Sequence, residues 1–169
     1  DKAKLFAFEI EKYNKARKNL DQSITDEALK MIDENKKSTV VFSEKWHKGV
    51  LGIVASRLIE SYYKPTIVFA EENGLLTGSA RSVHDFDLYK AISECSCFCE
   101  KFGGHKYAAG LSIKKENLEA FIEAFEIAVS QRITEDQSCP KIEVDMEIDI
   151  NDVDKKLFRI IKQFAPFGP

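Results

Sequence analysis

The order of secondary-structure signals predicts an α/β fold, a mixed β-sheet flanked by helices. Three observations carry that expectation. Between residues 38 and 132 the chain reads strand, helix, strand, strand, helix, strand, helix, an alternation that builds a layered sheet. Glu72-Asn73-Gly74 is a hairpin signal joining two of the strands. The chain's 169 residues, 44% of them hydrophobic, suffice to bury a core of one domain, or one domain plus part of another.

Each element has its own justification. From Lys4 to about Asn35, Leu5, Phe8, Tyr13, Ala16 and Leu20, then Ile24, Ala28 and Met31, recur at helical spacing, with Asp21-Gln22-Ser23 a point of kinking or splitting. A long helix with nothing before it to pack on reads as a connector, residues 1–37. Ser38-Thr39-Val40-Val41-Phe42 is a short buried strand. After Trp46-His47-Lys48-Gly49 comes a helix with Val50, Ile53, Val54 and Leu58 inward. Pro65 starts a second strand, Thr66 to Ala70, and the hairpin leads into Leu75 to Ser82. Phe86 to about Cys97 reads as helix, Tyr107 to Ile113 as strand, and Asn117 to Arg132 as helix with Leu118, Phe121 and Phe125 on one face. A polar, acidic linker near Thr134 to Pro140 closes the unit. Beyond it Ile142, Val144, Met146, Ile148 and Ile150 alternate with Glu143, Asp145, Glu147 and Asp149, the pattern of a half-exposed strand. A short helix with Val153, Leu157 and Ile160 inward follows.

Composition excludes several classes. No apolar run approaches the roughly 18 residues of a membrane span, and Asp1-Lys2-Ala3-Lys4 has no signal-peptide character. Cys95, Cys97, Cys99 and a distant Cys139 do not make a disulfide framework, so a reducing cytoplasm is expected. Their spacing also lacks the turn residues of a structural zinc site, and small core residues are the better reading. Net charge is −3, but its distribution is uneven. Residues 39–115 carry ten basic and eight acidic side chains, and residues 116–169 carry six and twelve. The middle third therefore tolerates an anionic ligand.

Three runs combine small residues with a hydrogen-bond donor at the edge of a regular element. In Phe102-Gly103-Gly104-His105-Lys106-Tyr107-Ala108-Ala109-Gly110, paired glycines let the backbone turn and present N–H groups to an anion, with His105 beside them. The same stretch also suits a tight turn into a packed strand. At Trp46-His47-Lys48-Gly49-Val50, His47 stands at a helix N-terminus. At Gly78-Ser79-Ala80-Arg81-Ser82, a guanidinium fork between two hydroxyls suits a phosphodiester. Together these edges favour a phosphate-binding groove. Asp85 and Asp87 read as helix capping, and His84 has no assigned role.

The runs WHKGVLGIVASRL, TGSARSVHDFDLYKAI and FGGHKYAAGL resemble, in order and spacing, the DHH-associated domain of the RecJ exonuclease family. The helix bearing Tyr13-Asn14-Lys15-Ala16-Arg17 is similar to that family's connector from its catalytic DHH domain. Phe164-Ala165-Pro166-Phe167-Gly168-Pro169 resembles the start of its OB-fold domain. The resemblance implies a substrate-binding domain over residues 38–135 and an incomplete OB-fold domain over 140–169. It implies a parent that degrades single-stranded DNA 5′-to-3′ in repair and recombination, alongside a helicase and a single-strand-binding protein. By the same likeness, Mn or Mg is held by the DHH half. His47, Ser79, Arg81, Ser82, Gly103, Gly104 and His105 hold phosphates, with Ala108 and Ala109 leaving room and Tyr107 offering a stacking face. This sequence has no Asp-His-His triplet, so the metal site is expected outside it and the segment alone inactive. Two alternatives stand beside this reading. Small DHH phosphoesterases act on short oligonucleotides or cyclic dinucleotides. The related domain of alanyl-tRNA synthetase is a non-catalytic nucleic-acid-binding module.

Overall fold

The computed structural model describes residues 2–142 and 144–167. Asp1, the Glu143 of the acidic alternation and the final Gly168-Pro169 lie outside the described residues.

The expected mixed sheet is present, with strand order β1-β2-β3-β5-β4. Strand β1 (Thr39–Ser43) pairs parallel with β2 (Thr66–Glu72), the crossover being helix α2 (Leu51–Tyr62). Strand β3 (Leu75–Arg81) pairs antiparallel with β2 through a two-residue turn. Asn73 and Gly74 both adopt positive φ there (51° and 81°), the backbone a tight hairpin demands. Helix α3 (Leu88–Glu94) follows, capped by the Asp87 carboxylate, which accepts from the Lys90 N–H. Strands β4 (Cys99–His105) and β5 (Ala108–Ile113) form a second hairpin, and β5 inserts beside β3. Helix α4 (Leu118–Arg132) ends the unit.

Two apolar layers sandwich the sheet. Helices α3 and α4 cover one face, where Phe69, Phe121 and Phe125 are fully buried. Phe121 meets Phe69 edge-on at 5.8 Å and stacks on Phe125 at 6.0 Å. Helix α2 covers the other face over β2 and β3, joining Val54, Leu58, Val68 and Trp46. Central β2 is therefore buried on both faces, which explains its unbroken apolar run.

The connector helix α1 (Lys2–Leu29) is uninterrupted, so Asp21-Gln22-Ser23 does not split it. Instead Asp21, 1% exposed, meets the Arg57 guanidinium of α2 at 2.7 Å, and Thr25 Oγ1 donates to the Asp21 carbonyl. Glu27 accepts from Trp46 Nε1 at 3.0 Å. Only this last stretch is docked: Leu5, Phe8 and Tyr13 are exposed. The helix ends at Leu29, short of the expected Asn35, and Asp33 Oδ1 accepts from the Asn35 N–H in a local turn beyond it.

Beyond residue 140 the expectation and the structure differ. The described residues of 142–150 form no strand, and Ile142, Val144, Met146, Ile148 and Ile150 are exposed. Alternation supplies two faces, but a ladder also needs a neighbouring strand. Helix α5 (Lys155–Lys162) forms, capped by Asp154, yet of the residues expected inward Val153 and Ile160 are exposed and Leu157 is only half-buried.

Candidate nucleic-acid interface

Register alone sets out the site. On the α2 side of the sheet, three in-register rows cross β3, β5 and β4: Thr77–Ser112–Lys101, Ser79–Gly110–Gly103 and Arg81–Ala108–His105. Helix α2 reaches only as far as β3. Beyond it the face is open, floored by glycine and alanine.

Arg81 lies along its own strand. Its Nη1 donates to Ser79 Oγ (3.2 Å) and to the Ala80 carbonyl (2.8 Å), and no carboxylate pairs with it among the described residues. The guanidinium reaches beneath the first turn of α2 at Gly52. A Cβ on Gly52 would stand 2.6 Å from Arg81 Nη2 and 3.1 Å from Ser79 Oγ. His47 caps the short 3-10 turn Lys48–Val50 that leads into α2, its Nδ1 accepting from the Gly49 N–H at 3.1 Å. The GSARS and glycine runs thus meet through strand pairing, while WHKGV leads into the helix whose Gly52 covers Arg81; Gly52 itself went unmarked in the sequence. A glycine in a helical first turn, just past WHKGV, was the available signal.

The remaining expected residues divide. Gly103, exposed, faces the open side with nothing within 4 Å of a Cβ placed there. The Gly103-Gly104 pair is not a turn presenting consecutive N–H groups; it lies inside β4, and strand alternation sends the two residues to opposite faces. Gly104 (φ 152°) pairs with buried Ala109, and a Cβ there would meet the Ala108 carbonyl oxygen at 2.3 Å. Ala109 therefore belongs to the core rather than the groove. Ser82 is occupied structurally: its N–H donates to the Tyr107 carbonyl and its Oγ to the Phe86 carbonyl.

Tyr107 is exposed at the hairpin tip with Lys106 Nζ 5.2 Å from its ring centre. Its N–H donates to His105 Nδ1. Lys106 hydrogen-bonds Asp85 at 2.8 Å; that bond and the ammonium charge hold the Asp85 carboxyl below its ordinary value and raise the lysine's. The cysteines lie off this face. Cys95 is buried, and burial, reinforced by Cys99 and Cys97, pushes its thiol up to about 12.

The fold and this face define a class. Residues 35–131 match the DHHA1 domain family, and the chain belongs to it. Its curated relatives are single-stranded-DNA-specific exonucleases RecJ. The Bacillus subtilis protein is 34% identical over 98% of this chain and 22% of its own length. The Haemophilus influenzae protein is 33% identical over 99% of this chain and 31% of its own. The chain thus spans less than a third of these relatives. Thermus thermophilus RecJ in complex with Mn2+ superposes with a TM-score of 0.82 at 24% identity, over 95% of this chain and 24% of that one, a likeness of fold. A further crystal structure, exonuclease RecJ bound to manganese, gives 0.69 at 27% identity over 76% of this chain and 32% of that one.

Those RecJ crystal structures carry Mn2+ or Mg2+. The residues here do not fit such an ion: among the described residues no three His, Cys, Asp or Glu side chains are grouped to ligate one. His47 and His105 each turn Nδ1 to a backbone N–H instead. No helix among the described residues is long and apolar enough to cross a membrane.

Proposed function

We propose that this chain is the strand-holding part of a RecJ-like exonuclease specific for single-stranded DNA. One observation carries the reading. Arg81, without a carboxylate partner among the described residues, lies over Ser79 on an open sheet face whose next residues are bare glycines. An uncompensated guanidinium beside a hydroxyl is built to take a phosphodiester oxygen, and the cleared floor gives room for sugar and base. His105 offers a second donor from the same row, His47 stands at the turn that leads into α2, and Tyr107 offers its ring to a base. These groups position the strand and offset its charge while the hydrolytic step, with Mn or Mg and the attacking water, belongs to a DHH domain elsewhere in the whole protein. As roles of that whole protein, the reading includes 5′-to-3′ degradation in DNA repair and recombination. It also includes a cytoplasmic location and work alongside a helicase and a single-strand-binding protein.

The test is a fluorescence-anisotropy titration of labelled single-stranded DNA, with a dinucleotide and a duplex as competitors, on the chain and on Arg81→Ala. Weak, salt-sensitive binding that favours the long single strand and falls about tenfold in the variant is expected. Binding indifferent to Arg81 would overturn the reading. Selective competition by the dinucleotide would transfer the chain to the small DHH phosphoesterases.

A further inference from the structure

The row Thr77–Ser112–Lys101 lies beyond every residue assigned above, and we infer that it is a second phosphate position on the same strand path. The inference rests on the single-strand reading of the groove and extends it.

A β-bulge supports it first. Cys99 pairs with Ile113, but Lys101 pairs with Ser112, so Glu100 is an extra residue in β4. Without it, Lys101 would share the face of Cys99, which packs against the core. The bulge re-aims Lys101, and after it Gly103 and His105, onto the open face. Charge supports it second. Glu100, the nearest carboxylate in sequence, is turned to Lys114 at 3.8 Å. Among the described residues Lys101 has no ion pair, whereas Lys48, Lys90, Lys106 and Lys115 all have one. Arg81 and Lys101 are thus two uncompensated cations on one sheet face. Shape supports it third: a shallow groove of about 480 Å³ runs over Thr77, Ser112, Lys101, Gly103 and Gly110.

The row has the chemistry of its neighbour, a cation with hydroxyls. Along β4, two residues of strand, about 7 Å, separate the Lys101 row from the Gly103 row over which the Arg81 guanidinium lies. Four residues, about 13 Å, separate the Lys101 row from the His105 row. One phosphate cannot touch both. The ligand class is therefore a single strand of at least three nucleotides running along β4 and β5 with Gly103 and Gly110 beneath it. A dinucleotide would reach the Arg81 row alone.

The experiment is an NMR titration of the isotopically labelled chain with (dT)2 and (dT)6 at two salt concentrations. It compares the unaltered protein with Lys101→Gln, Arg81→Gln and Lys114→Gln. Arg81→Gln should weaken both oligonucleotides. Lys101→Gln should weaken (dT)6 about three- to fivefold, lower its salt slope by about 0.7, and leave (dT)2 unchanged. Lys114→Gln, whose ammonium faces Glu100, should change neither. Equal loss for both lengths, or equal loss in Lys114→Gln, overturns the second position. So does a silent Lys101→Gln beside an effective Arg81→Gln, which leaves the groove itself standing. If the unaltered chain binds neither oligonucleotide, or Arg81→Gln is silent too, the groove reading falls and this position with it.

Discussion

The two faces of the β3–β5–β4 half-sheet are made by the same residues taken alternately, and they have opposite character. Toward α3 and α4 stand Leu76, Ala80, Leu111 and Ile113, packed without polar side chains. Toward solvent stand Thr77, Ser79, Arg81, Ser112, Lys101 and His105, with no large apolar side chain among them. Glycines sharpen the contrast. Gly78 is required by packing, because a Cβ there would meet the Phe69 ring at 2.5 Å. Gly103 and Gly110 meet nothing closer than 4.0 Å, so packing does not ask for them. Glycine weakens a strand. Two in register where no neighbour needs them mark a face kept clear.

Adjacent Gly104 gives the largest effect. Gly104→Ala must move backbone, since the intruding methyl meets the Ala108 carbonyl oxygen at 2.3 Å and the φ of 152° disfavours a side chain. Urea unfolding should record a loss of about 3 kcal/mol. A loss below about 1 kcal/mol would mean that the hairpin accommodates a side chain there and that the two glycines do not differ.

Gly52→Ala comes next and separates stability from binding. The added methyl collides with the tip of a flexible side chain, so Arg81 can swing aside without disturbing the fold. Alanine is also the better helix former by up to about 1 kcal/mol. The melting temperature should hold or rise while DNA affinity falls about as far as in Arg81→Ala, roughly tenfold. Unchanged affinity would show that Arg81 does not need its place under α2. A lowered melting temperature would assign Gly52 to packing.

Local signals were legible and register was not. Asn73-Gly74, the apolar run of β2 and the inward face of α4 are written in neighbouring residues, and they stand in the structure as read. Strand β4 was missed because Cys99–His105 has little β-propensity and a glycine pair; its partner β5 makes it a strand. The alternation at 142–150 has the propensity and forms none among its described residues, for want of a partner. Arg81 and Ser79 could be named from their run. Lys101, Thr77 and Ser112 could not, because a bulge and a strand register bring them together. The cysteines divide by burial. On the native chain a thiol reagent near pH 8 should modify exposed Cys97 and Cys139, and Cys95 only after unfolding. Rapid reaction of Cys95 would mean that the α3 side opens readily.

The smallest expected change in stability sharpens the comparison most. Gly103→Ala adds a methyl that meets nothing within 4 Å, on backbone whose φ is ordinary for any residue. Unfolding free energy should stay within about 0.5 kcal/mol of the parent or rise, because alanine restricts the unfolded chain more than glycine does. Affinity for single-stranded DNA should nonetheless fall several-fold, since the methyl occupies the floor between the Arg81 and Lys101 rows. Gly78→Ala reverses both signs of the argument: Phe69 must move, so stability is lost, while the open face is untouched. If Gly103→Ala left both stability and binding unchanged, the bare floor would be incidental, and only the cations beside it would remain to define the groove.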